Sequence, residues 1–261
     1  MDLNLFNKNA LVGGSSKGIG FAAAAELALL GANVTLMARN EATLHAAKQM
    51  LDVSKGQQHD FLVADVSDLT NLGQKISALV ATKTIHILVK NTGGPPSGAI
   101  ADATMLEFST AFQNHLLANH LLATSVVAGM KQAQFGRIIN IISTSVKQPL
   151  DGLGVSNTIR AAVANWSKTL ANELAPFAIT VNNVLPGATQ TERLEAIIEL
   201  KAQKQYLSAA VVAAEMRAEI PMRRFATATE VAAAVAFLAS PSAAYITGIN
   251  LPVDGGRLKS L

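Results

Sequence analysis

Short apolar runs alternating with helix-forming stretches predict a doubly wound α/β protein. They imply one domain over residues 1–261, with a parallel sheet of about seven strands covered by helices on both faces. Three observations carry that prediction. The apolar runs are continuous rather than alternating, as in strands buried on both faces. Helix-length segments separate them. Half of the residues are apolar and only 15% are charged, enough to bury a large core.

Taken in order, Ala10-Leu11-Val12 reads as the first strand, and the alanines of Phe21 to Leu27 favour a helix. Asn33 to Ala38, Phe61 to Ala64 and Ile85 to Val89 read as the next three strands, with a polar helix over Glu41 to Ser54. Ser67-Asp68 supplies a cap for the helix that follows the third strand. A long helix is expected from about Thr104 to Gln132, a fifth strand over Gly136 to Ile142, and a helix over Gly154 to Leu174. Ile179 to Val184 is the sixth strand, closed by Pro186-Gly187. Ala188 to Ala218 is a polar helical insertion at the strand-end rim, where a segment can act as a lid or simply form a rigid surface hairpin. Thr229 to Ala239 and Thr247 to Gly256 supply one more helix and strand.

Composition removes several function classes. There is no cysteine, which excludes disulfides, thiolate metal sites and cysteine nucleophiles. The formal charge of +3 comes from scattered basic residues, so no nucleic-acid partner is expected. Met1-Asp2-Leu3-Asn4 lacks a secretory pattern, and the alanine-rich stretches are broken by Glu26, Gly31 and Asn33; a cytoplasmic protein with no membrane partner is the expectation.

In a doubly wound sheet, ligands bind beyond the carboxyl ends of the strands. Gly14 to Gly20, Arg39, Asp65, Asn91, Ser143 and Pro186-Gly187 all lie just past a strand and are expected to line one crevice. The glycines at 14, 18 and 20 suit a sharp turn and a close approach of backbone to a pyrophosphate at a helix N-terminus. Their G-x-x-x-G-x-G spacing does not decide the matter by itself. Lys17 and Arg39 bring two cations and no carboxylate to the corner that would hold a ribose 2′-substituent, which favours NADP(H) over NAD(H); the alternative is a pair of solvated surface charges.

Together these motifs carry a resemblance over essentially the whole chain to the short-chain dehydrogenase/reductases, a Rossmann-fold family. They are Gly14-x-x-x-Gly18-Ile19-Gly20, Asp65-Val66, Asn91-x-Gly93, Gly136 to Ile141 before Ser143, Asn183-x-x-Pro186-Gly187, and Tyr245 to Gly248 with Val253 to Gly256. Within the family the chain is similar to 3-oxoacyl carrier-protein reductases. The resemblance implies cofactor contacts from Gly14, Ser16, Lys17, Gly18 and Ile19 in the turn. It implies Asp65 and Val66 at the adenine, Asn91 and Gly93 along the adenosine ribose, and Pro186, Gly187, Thr189 and Thr191 toward the nicotinamide. It implies a carbonyl or alcohol substrate and a homo-oligomer, a tetramer or dimer, built on the helices around 104–132 and 154–174. Lys90 stands where the family usually has another Asn.

The same resemblance marks a departure at the catalytic residues. Ser143 fits the family's Ser, but the Tyr position holds Ser156, the Lys position holds Arg160, and the Asn position falls on His115 beside Asn114. An aliphatic hydroxyl is a far poorer acid than a phenol of pKa about 10, and a guanidinium does not give up its proton. The expectation is that Arg160 and Ser143 bind the developing alkoxide while His115 or a water delivers the proton, Arg160 also being placed to bond ribose hydroxyls. Two alternatives stand beside it. His115 can be a packed, hydrogen-bonded histidine, and the chain can be a cofactor-binding sensor or assembly subunit with little catalysis.

Overall fold

The computed structural model describes residues 1–260. Seven parallel strands form one sheet in the order β3-β2-β1-β4-β5-β6-β7. They are β1 Asn9–Gly13, β2 Asn33–Ala38, β3 Asp60–Val63, β4 Ile87–Lys90, β5 Gly136–Ile141, β6 Ile179–Pro186 and β7 Asn250–Val253. The chain winds outward from β1 in one direction and from β4 in the other. The crevice between them is the switch point at which a ligand binds.

Strand pleating distributes the core to both faces. Ala10 and Val12 pack with α1 (Gly18–Leu29) and α9 (Ala228–Ala239), whereas Leu11 faces Leu72, Ile76 and Leu122 on the other side. Alanines such as Ala23, Ala24 and Ala232 leave little side chain between α1 and α9, and Leu27, Val235 and Leu238 fill the remaining space, all fully buried. Truncating one of those leucines to Ala removes about 2–5 kcal/mol. The expected cap forms: Asp68 Oδ1 accepts from Asn71 N–H at 3.0 Å to start α3 (Leu69–Thr82). Asn40 caps α2 (Glu41–Gln49), which ends five residues before the expected Ser54, as Asp52 accepts from the Ser54 backbone and closes a local turn.

The long helix expected over 104–132 is three pieces. α4 (Met105–Phe112) starts in a Thr104/Glu107 capping box, a π-turn covers Gln113–Leu117, and α5 (Ala118–Ala133) continues. The extra residue in that turn carries His115 inward, a shift that apolar periodicity does not announce. α6 (Gly154–Leu174) has the expected limits. The 188–218 insertion is a pair of helices, α7 (Glu192–Gln205) and α8 (Ala209–Ala218), with a small core of Leu194, Ile198, Ala202, Val212, Ile220 and Phe225. A bridge closes its base, with Gln190 N–H donating to Ala226 O at 2.8 Å and Ala226 N–H to Ala188 O at 3.0 Å. Among the described residues no helix is long and apolar enough to cross a membrane.

Candidate active site

At the end of β1 the chain must turn within a few residues. Gly14 does so at φ +58°, and a Cβ there would sit 2.5 Å from the Asn91 carbonyl oxygen. A Cβ on Gly20 would lie 2.2 Å from Gly14 O, so the first turn of α1 lies directly on the loop. Buried Ser15 ties the turn to the sheet: its hydroxyl donates to Val12 O at 2.7 Å and accepts from Met37 N–H at 2.9 Å. Asn91 Nδ2 donates to Gly14 O at 3.2 Å, joining the loops after β1 and β4. No side chain caps α1, so its first-turn N–H groups remain for an anion. A backbone cradle with a free helix N-terminus fits a dinucleotide pyrophosphate.

Arg39 follows β2, exposed, and Asn40 after it caps α2, whose first residue is Glu41. Across the corner, Asp65 accepts from Ser67 N–H at 2.9 Å, a bond that with the nearby Arg39 charge holds its carboxyl below the usual range. Val66 adjoins it, packed on the core beside α3. Lys17 does not stand free at this corner as expected: its ammonium is paired with Glu192 of α7. The glycine turn is thereby joined to the insertion, and a Cβ on Gly18 would lie 3.6 Å from Thr191 Cγ2. Thr191 caps α7, and Thr189 donates to Gly187 O at 3.1 Å.

A cavity of about 830 Å³ opens where the nicotinamide end is expected, bringing together Ile19, Ser143, Pro186, Gly187, Thr189 and Thr191. Its size suits a small-molecule substrate beside a cofactor. Ser143 Oγ accepts from Ser145 N–H at 3.1 Å and keeps its own proton to donate. Ser156, Arg160 and His115 are buried beside this cavity rather than lining it. Arg160 Nη1 donates to Ile141 O at 3.1 Å, two residues before Ser143, and its Nε has no protein partner. Burial, with the Arg193 charge, pushes its guanidinium down to about 10, still charged at neutral pH.

His115 does not titrate near neutrality. Burial, reinforced by Arg160, pushes its imidazole down to about 3, and Nδ1 shares a 2.8 Å hydrogen bond with the Thr92 hydroxyl. It is the packed, hydrogen-bonded histidine of the alternative reading, and as a neutral ring it has no imidazolium proton to give. The remaining histidines have structural partners: His86 and His59 accept from Asn9 and Val34 N–H, His120 accepts from Trp166, and His45 packs edge-on to Phe61. Neither tyrosine enters the crevice. Tyr206 is 96% exposed, and Tyr245 is fully exposed.

Two cations of this region have partners that the sequence reading missed. Lys90 is buried, its Nζ 3.4 Å from Asn119 O and 4.0 Å from the Trp166 ring centre, and burial pushes its ammonium well below the usual range. Arg193 of α7 reaches back to the loop after β4, its Nη2 donating to Pro95 O at 3.1 Å. The signal for Arg193 was its recurrence with Lys201 and Lys204 at helical spacing, which places all three on one face of the insertion.

The fold and the glycine cradle define a dinucleotide-binding α/β protein of the Rossmann type. A family model described as enoyl-(acyl carrier protein) reductase matches residues 14–257. The chain is 32% identical over 258 residues to the NADPH-dependent reductase BacG of Bacillus subtilis, covering 97% of this chain and 99% of that protein. It is 33% identical to the 3-oxoacyl-[acyl-carrier-protein] reductase FabG of Pseudomonas aeruginosa, covering 99% and 100% of the two chains. The L-sorbose reductase of Gluconobacter frateurii, solved with NADPH and L-sorbose, matches over all of both chains at a TM-score of 0.93 and 30% identity. The chain belongs to the short-chain dehydrogenase/reductase family.

Proposed function

We propose that the protein is an NADP(H)-dependent oxidoreductase that interconverts a carbonyl and an alcohol, 3-oxoacyl reductase-like, with Arg160 and Ser143 in place of a phenol at the reacting oxygen. The observation that carries this reading is the buried Arg160 guanidinium, charged and with an unpartnered Nε beside the strand end that bears Ser143. When bound, the cofactor supplies a hydride. The residues fit it: a glycine cradle at Gly14, Ser16 and Gly18, Arg39 for a 2′-phosphate, Asp65 and Val66 at the adenine, Asn91 and Gly93 along the ribose.

As hydride adds to the carbonyl carbon, the carbon–oxygen π pair moves to oxygen. Arg160 and the Ser143 hydroxyl donate hydrogen bonds to that oxygen as charge builds on it. The alkoxide takes its proton from the buffered medium, relayed through water to the oxygen that Arg160 and Ser143 hold, since His115 is neutral and carries no imidazolium proton for it. The α7–α8 pair acts as a lid, with Lys17–Glu192 as a contact that couples its position to the glycine turn. Exposed Met105, Leu106, Phe112 and Leu117 on α4, the π-turn and their surroundings support self-association through this face, which light scattering tests.

NADPH fluorescence titration followed by its oxidation across a panel of ketones and oxo esters tests the reading. Binding with turnover is the expected result. Tight binding without turnover on any carbonyl favours the second reading, a sensor or assembly subunit, which the exposure of both tyrosines supports.

A further inference from the structure

The cavity beneath α7 carries more positive charge than its own residues neutralise. Arg193, Lys201, Lys204 and Arg257 line it, against Asp151 and Glu219. Glu219 is committed to Arg257 at 2.6 Å. Glu192, the acid beside Arg193, is committed to Lys17. Arg193, Lys201 and Lys204 project from one face of α7, so their charges add along the cavity wall.

Arg160 supplies an independent observation. It is 7% exposed, its Nε has no partner, and among the described residues no carboxylate pairs with it. A Cβ built on Gly94 would lie 3.8 Å from Nη2 of Arg160 and 3.8 Å from Nη2 of Arg193. Two guanidiniums therefore converge on one loop position, held by the carbonyls of Ile141 and Pro95 alone. Like charges in a partly desolvated site repel, and an anion placed between them relieves that repulsion. A guanidinium fork matches a planar carboxylate through two parallel hydrogen bonds.

We propose that the substrate is an oxo acid, whose carboxylate is taken by Arg193 while its carbonyl oxygen lies at Arg160 and Ser143. This rests on the carbonyl-reductase reading above. The closeness of the two arginines places the carboxylate near the reacting carbon, as in 2-oxo and 3-oxo acids. Arg193 is then the specificity-determining residue, and Lys201 and Lys204 draw the anion into the cavity.

The test compares pyruvate, acetoacetate and phenylpyruvate with their methyl esters, and adds dihydroxyacetone phosphate as a phosphate-bearing ketone, using the full chain with NADPH. The expected result is at least one acid with kcat/KM about tenfold or more above its ester. Arg193→Ala raises KM for that acid by about tenfold or more, with a several-fold smaller change for the ester; Arg193→Lys restores part of the loss. Equal use of acids and esters, preference for the phosphate ketone, or an equal loss on acid and ester in Arg193→Ala overturns the proposal. Where no compound turns over, calorimetric titration of the same acids into protein with and without NADPH decides. Acid binding lost in Arg193→Ala supports the assignment, and absence of acid binding overturns it. NADPH binding is measured separately in the same series, so a failed cofactor reading is distinguishable from a failed carboxylate assignment.

Discussion

At the end of β1 the crevice is made of backbone, a glycine turn closed on Asn91 and an uncapped helix, whereas at the ends of β5 and β6 it is made of charged side chains brought from α6 and α7. The first end tolerates almost no change, because a single added Cβ meets main-chain atoms. The second depends on side chains such as Arg160 and Arg193, which main-chain carbonyls hold while the sheet beneath them is continuous. The contrast separates holding a dinucleotide, which depends on backbone geometry, from the proton chemistry, which depends on the identity of a few side chains.

The sharpest way to break this comparison is at Arg160. Arg160→Met keeps most of the buried stem and removes the charge. It is expected to lower kcat by about 10²–10³ with a much smaller change in NADPH affinity. Unchanged kcat in steady-state assays sinks the assignment of Arg160 to the reacting oxygen. Next in size, Gly14→Ala forces a side chain into a left-handed position against Asn91 and is expected to destabilise the fold by about 1–3 kcal/mol and to weaken NADPH binding. Denaturant unfolding and fluorescence titration read the two effects separately. A variant with both properties intact removes the case for a backbone-made site.

Arg39→Ala is expected to weaken NADPH about tenfold, about 1.4 kcal/mol, while leaving NADH binding alone. Equal loss for both dinucleotides would place Arg39 elsewhere. A last effect concerns acid stability. The His115 imidazole is pushed from 6.5 down to about 3 in the folded chain, so the unfolded chain binds more protons between those values. The stabilisation from keeping it neutral is complete above pH 6.5 and falls as pH drops toward 3, by up to about 1.4 kcal/mol per pH unit. His115→Asn is expected to flatten that slope in denaturant midpoints measured between pH 4 and 7. An unaltered slope shows that the ring is accessible to protons in the folded state.

Much of the fold was legible because its determinants are local. Continuous β-branched and leucine runs mark strands buried on both faces, and Asn40, Asp68 and Thr104 carry their helix starts within four residues. The break inside 104–132 was not legible, since a π-turn adds one residue without altering apolar character. The crevice list was readable from strand ends, but the partners of its members were not. Glu192 lies 175 residues from Lys17, and Arg193 lies 98 from Pro95. Such long-range pairs leave no periodic trace.

By itself the sequence determined the doubly wound architecture and the glycine cradle, both properties of residue type and spacing. Only tertiary structure decided the surroundings of the titratable side chains at the strand ends. Burial took the charge from His115, left both phenols in solvent, and set Arg160 against Arg193 without a counter-ion. Protonation and charge pairing depend on solvent exposure and on neighbours distant in the chain, and folding fixes both.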